Sequence, residues 1–532
     1  MKSFLFCIII TCLFISCKKN ELNYIPEVIG PPENIQLNQG FVKKNISLEG
    51  IFDDKDGETL QITAFSNAIE VVDTEIEGSN LIITEKGNGK TKITLRATDS
   101  VGDYTETKFG VDVKPPYLRF AIISDPHYLD QTLINTPSSA LQSEKNKNPL
   151  MFEESNIIFP QTIDMINTYY HPQVLIINGD LTKDGSLVSH QSVVAHLEAA
   201  ASLGMQVFVV PGCRDINNFN ASRYSGDNKV SVPNVVMEKY KTLYHNFGYN
   251  DGDITFSQDL NSLSYACEPQ KGVYMIMIDS NSFEGNNASK PYNDKSRIKS
   301  ETLDWIKSIV AQAKDERKTV ITFMHGSLVD SFQDESKYFP NNLMENANSI
   351  ANTLADLGIK VVFTSHNHIQ DITEFTSDNG NRLTQVQTGS LMAYPNPFRI
   401  VELKTNHNLS IKTKLFSEFY EGTQGAQHLT KAKDEFRKHY SVYINSKLIE
   451  LFNLSGYQLS IGTEAATQVG LMHTYGDEDM TELDQNSQIS INTLKEGAGQ
   501  IHDAGIMLNN MVKDKFPTSD VQFSVPHIGE WN

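Results

Sequence analysis

Short apolar runs separated by polar turns organise most of this chain, and their spacing changes twice along it. Between residues 34 and 114 the β-prone runs are Leu60 to Phe65, Ile69 to Val72, Leu81 to Thr84, Thr91 to Thr98 and Thr107 to Val113. Turns carrying Gly57, Gly78, Gly87, Gly89 and Gly102 divide them. From Thr91 to Ala97 apolar and polar residues alternate, the period of a strand with one buried face. This region therefore predicts a small antiparallel β-sandwich. Lys114-Pro115-Pro116 marks its end.

From residue 117 to 403 the pattern becomes α/β. Glu153 to Tyr170, Ser186 to Leu203, Val235 to Phe247, Ser300 to Ala313 and Asn341 to Leu357 place apolar residues at helical spacing, while the polar stretch Ile216 to Val232 has no clear period. Past Leu403 a strand over Leu409 to Phe416 gives way to helical stretches over Thr430 to Phe452, Thr463 to Met472 and Ile491 to Lys513. Residues 404–532 thus read as a mainly helical extension, and its His439 and His473 read as core or solvated histidines rather than ligands.

Five central runs end in polar side chains. Leu118 to Ile123 ends in Ser124-Asp125-Pro126-His127, Val174 to Ile177 in Asn178-Gly179-Asp180, and Val207 to Val210 in Pro211-Gly212-Cys213-Arg214-Asp215. Thr319 to Phe323 ends in Met324-His325-Gly326, and Lys360 to Phe363 in Thr364-Ser365-His366-Asn367-His368. Strands that empty into such turns deliver carboxylates and imidazoles to one edge of a sheet, where α/β proteins bind ligands.

In this order the blocks resemble the calcineurin-like metallophosphoesterase family, whose motifs run Asp-x-His, Gly-Asp, Gly-Asn-His-Asp, a lone His and Gly-His-x-His. The resemblance covers roughly Tyr117 to Leu403 and implies a two-sheet α/β sandwich with two divalent ions of zinc, manganese or iron. Such a pair activates a water and neutralises phosphoryl charge. Carried over by position, Asp125, His127, Asp180 and His368 would hold one ion. Asp180 would bridge to a second, completed by His325 and His366.

The middle motif departs from the family. Cys213 stands where the resemblance expects a neutral Asn ligand, and Arg214 where it expects the His that protonates the leaving oxygen. A Cys213 thiolate would favour softer ions such as zinc, and Arg214 beside it would favour the thiolate. Arginine can neutralise phosphoryl charge, but with a pKa above about 12 it cannot deliver a proton near neutrality. General acid catalysis contributes about 10²–10⁴-fold, so esters with poor leaving groups would feel its loss most. Asp215 is retained and would orient Arg214 through a bidentate pair. Tyr394 and Arg399, after the last motif, are further candidates to reach a substrate, although a surface hairpin explains them equally well.

The N-terminus changes where this chemistry would take place. Met1-Lys2-Ser3 precedes an apolar run, Phe4 to Ile15, shorter than the roughly 20 residues a bilayer span takes. This is the layout of an export signal. The small Ser16 before Cys17 resembles the bacterial lipoprotein cleavage box, with Phe14 where an aliphatic residue is usual. It implies a signal peptide over residues 1–17, a lipidated Cys17 anchored in the bacterial cell envelope outside the cytoplasm, and a Pro-punctuated tether over residues 18–33. Only Cys213 and Cys267 then remain, which is no disulfide framework, so stability must come from buried cores. The turns Asp53-Asp54-Lys55-Asp56-Gly57 and Thr98-Asp99-Ser100 resemble acidic turns of cadherin-like and bacterial Ig-like domains, some of which coordinate Ca²⁺. Asp and Gly are also ordinary turn residues.

A formal charge of −20 argues against nucleic acid as a partner. It is compatible with a small phosphorylated substrate bound where metal ions reverse the local potential. Two readings follow: a phosphodiesterase or phosphatase with an altered middle motif, or a metal-binding lipoprotein that has lost turnover and acts as a binding or scaffold protein. Replacing Cys17 with Ser is expected to abolish incorporation of labelled fatty acid and to release the protein from membranes. Wild-type protein that incorporates no label would refute the anchor.

Overall fold

The computed structural model describes residues 23–531 except 40, 42, 115, 116, 147, 251, 253, 421, 477 and 530. The export signal, Cys17 and the Pro115-Pro116 boundary lie outside the described residues. The chain divides into two units: the described residues up to 35 with 43–84 and 90–111, and residues 36–42, 85–89 and 112–532.

The first unit is built of strands. Gln61–Ser66 pairs antiparallel with Gly89–Thr98, from Gln61 opposite Thr98 to Ser66 opposite Ile93. Lys43–Ser47 pairs antiparallel with Asn80–Glu85. Alternation places Ile93, Leu95 and Ala97 inward, where they are buried with Val72, Leu81 and Ile83. The run expected over Ile69 to Val72 instead starts at Val72 and continues to Glu77, because residues 69–71 form the turn that leads into it. The acidic turns bind their own backbone. Asp99 Oδ1 accepts from the N–H groups of Val101, Gly102 and Asp103, and Asp54 Oδ1 from that of Asp56. Among the described residues no three acids of this unit group as candidate cation ligands, and the hydrogen bonds above are those of ordinary Asp and Gly turns.

The second unit is the two-sheet α/β sandwich. One sheet has the order Gln206–Val210, Val174–Asn178, Leu118–Ser124, Pro397–Leu403, Leu409–Leu415 and Gln522–Val525. Its first three strands are parallel and the rest antiparallel. The other has the order Thr255–Gln258, Tyr265–Gln270, Val273–Ile278, Thr319–Met324, Val361–Thr364, Arg382–Gln387 and Asp371–Thr376, parallel through its middle. Covered on both faces, the parallel strands are continuously apolar; Val174–Asn178 and Thr319–Met324 are buried at every position. The sheets meet through Phe120 of the first and Phe323 and Phe363 of the second, with ring centroids 5.2–5.9 Å apart. Burying each ring stabilises the fold by about 1.5–3 kcal/mol. The five central strand positions expected from the sequence are all present, within two residues at either end.

Three departures concern the ends of elements. Within Asn341 to Leu357 only Ala347–Asp356 is helical, since Asn346 precedes it with φ +56°. Ile491 to Lys513 falls within two helices, Gln485–Lys495 and Gln500–Met511, broken at Gly499 with φ +57°. The polar stretch Ile216 to Val232 contains a hairpin, Ser222–Ser225 with Asn228–Ser231, paired to Ile134–Asn135. The C-terminal segment is more than an addition: Leu409–Leu415 and Gln522–Val525 extend the first sheet, with the long helices Gln424–Phe452 and Gly456–Tyr475 between them.

Arg399 does not reach a substrate site. It is fully buried within Pro397–Leu403, and its guanidinium donates to the Gln387 and Asp520 carbonyls and to Thr388 and Thr413 Oγ1. A side chain of this length satisfies carbonyls that the sheet and the C-terminal segment leave unpaired. Each buried acceptor stranded by its loss costs about 1–3 kcal/mol. Arg399→Ala is therefore expected to lower the unfolding free energy by about 2–6 kcal/mol in denaturant titration, while metal content per folded molecule stays unchanged.

Candidate metal centre

Five strand ends of the second unit converge. Asp125 and His127 follow Leu118–Ser124, Asp180 follows Val174–Asn178, Cys213 follows Gln206–Val210, His325 follows Thr319–Met324, and His366 and His368 follow Val361–Thr364. Asp125, His127, Asp180, His366 and His368 all have positive φ, between 36° and 74°. Such conformations cost of order 1–3 kcal/mol each away from glycine and persist where the surrounding structure over-determines them. Two glycines allow the crowding. A Cβ on Gly179 would enter the His325 ring, and one on Gly212 would enter the Asp180 backbone and carboxylate.

Two of the three groups that the seven side chains form are linked by Asp180, which itself groups with Asp125 of one and His325 of the other. In one, Asp125, His127 and His368 offer ligand atoms within 4.8 Å of one another, with His127 Nε2 3.0 Å from His368 Nε2 and 3.7 Å from Asp180 Oδ2. In the other, Cys213, His325 and His366 converge similarly. His325 Nε2 is 3.6 Å from Asp180 Oδ1, and Cys213 Sγ is 3.7 Å from Asp180 Oδ2. Ligands about 2.0–2.3 Å from one tetrahedral ion stand about 3.3–3.8 Å apart, a spacing that the contacts of Asp180 match, while the His127–His368 and His325–His366 nitrogens lie closer, at 3.0 and 3.1 Å.

Hydrogen bonds fix the imidazole tautomers of the second set. Ser365 Oγ donates to the Asn178 carbonyl, so it accepts from His325 Nδ1–H at 2.9 Å. His366 Nε2–H donates to the Asn341 carbonyl at 3.3 Å. His325 Nε2 and His366 Nδ1 are then two lone pairs facing each other at 3.1 Å, an arrangement that repels unless a cation sits against both. In the first set Asp125 Oδ1 is buried without a hydrogen-bond partner. Both observations fit divalent ions.

Protein groups alone work against every charge here. Burial, then Asp180, pushes the Asp125 carboxyl well up; burial, then Asp215, pushes Asp180 up. Burial and neighbouring imidazoles hold His127 and His325 well below the usual histidine range, and burial with His366 lowers His368 to about 3. Neutral imidazoles are the form that binds a metal, and a divalent ion would reverse the penalty on each carboxylate.

The altered middle motif behaves differently from the expectation. Burial and then Asp180 push the Cys213 thiol well up, and Arg214 opposes this only in part, so Arg214 does not by itself produce a thiolate. Asp215 does not pair with Arg214. Its carboxylate accepts from the N–H groups of Leu181, Thr182 and Gly212 and from Thr182 Oγ1, so it braces the two turns that carry Asp180 and Cys213. Arg214 instead lies over the Tyr292 ring at 4.2 Å, with its Nε 3.9 Å from Asp180 Oδ2.

Above the ligands lies a cavity of ≈ 600 Å³. His127, His366, His368 and Arg214 line its floor, and Phe436, Tyr440, Tyr443 and His473 of the C-terminal helices line a wall. Sequence reading missed this wall, since helical spacing accounts for its aromatic residues equally well as core. Tyr394 is not among the lining residues. It packs on Phe436 and Tyr475 and borders a separate depression. A further acidic group, Asp371, Asp514 and Asp520, also converges. There burial and then Asp371 push Asp520 well up, and Asp520 hydrogen-bonds Glu478, as a neutral acid sharing its proton would.

Residues 118–370 match the family model described as calcineurin-like phosphoesterase, and that segment is a calcineurin-like phosphoesterase domain. Among solved structures, the chain is similar to a dimetal phosphatase from Danio rerio at 13% identity, covering 56% of this chain and 96% of that one with a TM-score of 0.40. It is also similar to the purple acid phosphatase PPD1 from yellow lupin (Lupinus luteus) seeds, at 8% identity over 71% of this chain and 67% of that one, TM-score 0.33. A third similar structure is PhoD, at 8% identity over 63% and 73% of the two chains, TM-score 0.32. No curated protein matches the chain.

The shared carboxylate sets an expectation for metal content. Asp180→Asn should lower occupancy at both positions by elemental analysis, whereas Asp125→Asn should mainly cost one equivalent. Two equivalents retained in Asp180→Asn would contradict the arrangement.

Proposed function

We propose that this protein is a metal-dependent phosphodiesterase or phosphatase acting on small phosphate esters outside the cytoplasm, tethered to the bacterial cell envelope through lipidated Cys17. The observation that carries the reading is the convergence of seven candidate ligand side chains beneath a cavity, with Asp180 3.6–3.7 Å from His127, Cys213 and His325. Bound there, two divalent ions would activate water and take up phosphoryl charge.

The chain's own residues would do the rest. Arg214 faces the same cavity, and its guanidinium stays cationic there despite burial, beside Asp180. Stacked on Tyr292, its planar fork is held ready for two phosphoryl oxygens. Ser365 and the Asn341 carbonyl hold His325 and His366 in the tautomers that ligation needs. Asp215 keeps the Asp180 and Cys213 turns in register. A cavity of ≈ 600 Å³ suits a small-molecule ester. The strand-built first unit would act as a spacer from the membrane.

One observation favours the second reading, a metal-binding lipoprotein without turnover: the Cys213 position offers a thiol rather than a neutral oxygen, and extra negative charge there would repel phosphate. Elemental analysis of the purified protein beside a screen of phosphomonoesters, phosphodiesters and pyrophosphates separates the two. Two ions per chain and hydrolysis of at least one class is the expected result. One ion with no hydrolysis would replace the enzyme by the binding protein.

A further inference from the structure

The chain between the candidate ligands His325 and His366 passes the site with little structure of its own. Within residues 331–342 the helix Glu335–Tyr338 is four residues long, too short to persist unaided. Its support comes from a distance. Phe332 and Tyr338 are buried in a core whose other members lie between residues 444 and 512. Tyr338 meets Phe452 with ring centroids 5.8 Å apart, Asn510 Nδ2 donates to Asp334 Oδ2 at 3.3 Å, and Lys515 Nζ donates to the Asp330 carbonyl at 2.6 Å. The C-terminal helices thus pin this segment.

Glu335 connects the pinned segment to the candidate ligands. It is fully buried. Its Oε2 accepts from Ser331 N–H at 2.8 Å, which fixes the carboxylate on its own segment. Its Oε1 accepts from Asn342 Nδ2 at 2.7 Å and from Asn367 Nδ2 at 3.4 Å. Asn367 stands between His366 and His368, both at positive φ. Asn342 follows Asn341, whose carbonyl accepts His366 Nε2–H at 3.3 Å.

One carboxylate oxygen therefore reaches His366 by two routes, through the turn that carries its backbone and through the neighbour of the carbonyl that orients its ring. His368 is reached by the first route alone. Burying a carboxyl is unfavourable unless its oxygens are hydrogen-bonded, and two of the three bonds to Glu335 come from amides that flank the ligand histidines or their support.

We propose that Glu335 is a positioning residue for the metal centre, an inference that rests on the two-ion part of the phosphoesterase reading and not on turnover. It holds the His366–His368 turn and the Asn341 carbonyl in the relation that leaves His366 Nδ1 facing His325 Nε2 at 3.1 Å. Hydrogen-bond partners that orient metal ligands typically contribute about 10–100-fold to metal affinity. Through Glu335 the C-terminal helices take part in metal binding, although none of the seven candidate ligands lies on them.

Zinc affinity of the full chain, measured by competition with a chromophoric chelator, tests this in wild type, Glu335→Ala and Glu335→Gln, with folding followed separately by denaturant titration. Glu335→Ala should weaken one of the two equivalents by about 10–100-fold and the other less. Glutamine keeps one oxygen for the two asparagine amides, so Glu335→Gln should recover most of that loss. In metal-free protein, ¹⁵N spectra of the ring missing from His366→Gln should place the proton on Nε2 in wild type and Glu335→Gln. Glu335→Ala should show a mixture of tautomers.

Affinity unchanged at both equivalents in Glu335→Ala overturns the proposal, as does an equal loss in Glu335→Gln, which would make the role one of charge. If Glu335→Ala does not fold, Asn342→Ala and Asn367→Ala take its place. Each should weaken one equivalent, and affinities unchanged in both overturn the proposal. Wild type that binds two ions and hydrolyses no ester, together with the loss in Glu335→Ala, supports the positioning role while sinking the enzyme reading. Wild type that binds fewer than two ions sinks the ligand assignment and the positioning role together.

Discussion

The second unit is organised around a buried carboxylate that lies between two sets of candidate ligands, grouping with Asp125 of one and His325 of the other. Asp180 lies 3.6–3.7 Å from His127, Cys213 and His325 and accepts the Arg214 N–H at 2.8 Å. Without counter-charge, burying it beside Asp125 and Asp215 is unfavourable, and all three carboxyls respond by holding their protons more tightly. Protonation relieves that cost, and two divalent ions would relieve it with the carboxylates ionised.

That arrangement explains where strain is tolerated. Five of the candidate ligands sit at positive φ, each at an energetic cost, and each lies within four residues of the end of a buried strand. The paired registers of the parallel strands hold their ends fixed, so the turns must bend to suit. The Phe120, Phe323 and Phe363 contact locks one sheet to the other, which keeps Asp125 and Asp180 of one sheet at ligand distance from the histidines of the other. Asp215 makes the same point from the opposite direction: its oxygens spend themselves on backbone N–H groups, so its contribution is to geometry and not to charge on a substrate.

What the sequence made legible follows from this. Apolar runs that end in polar turns located the five central strands and placed all seven ligand side chains together, because a strand end is a local feature and its direction is set by the sheet. Side chains whose roles depend on distant partners were not legible. Arg399 looked like a substrate contact because it follows the last motif, yet its partners come from Gln387, Thr413 and Asp520. Arg214 and Asp215 are neighbours in sequence but face different partners, because the turn between them points the first into the cavity and the second back into the strand ends. The helices of the C-terminal segment had the right period for helices, and period alone does not tell a core aromatic from a cavity wall.

The strand Gln522–Val525 shows why that segment bears on the site. By pairing with Leu409–Leu415 it returns the end of the chain to the first sheet, so the intervening helices are held at both ends by the same framework that carries Asp125 and Asp180. The Gln370 to His473 backbone bond adds a third attachment beside the last histidine motif. A wall anchored in this way can hold a side chain at fixed distance from strand-end ligands although some 100 residues separate them in sequence.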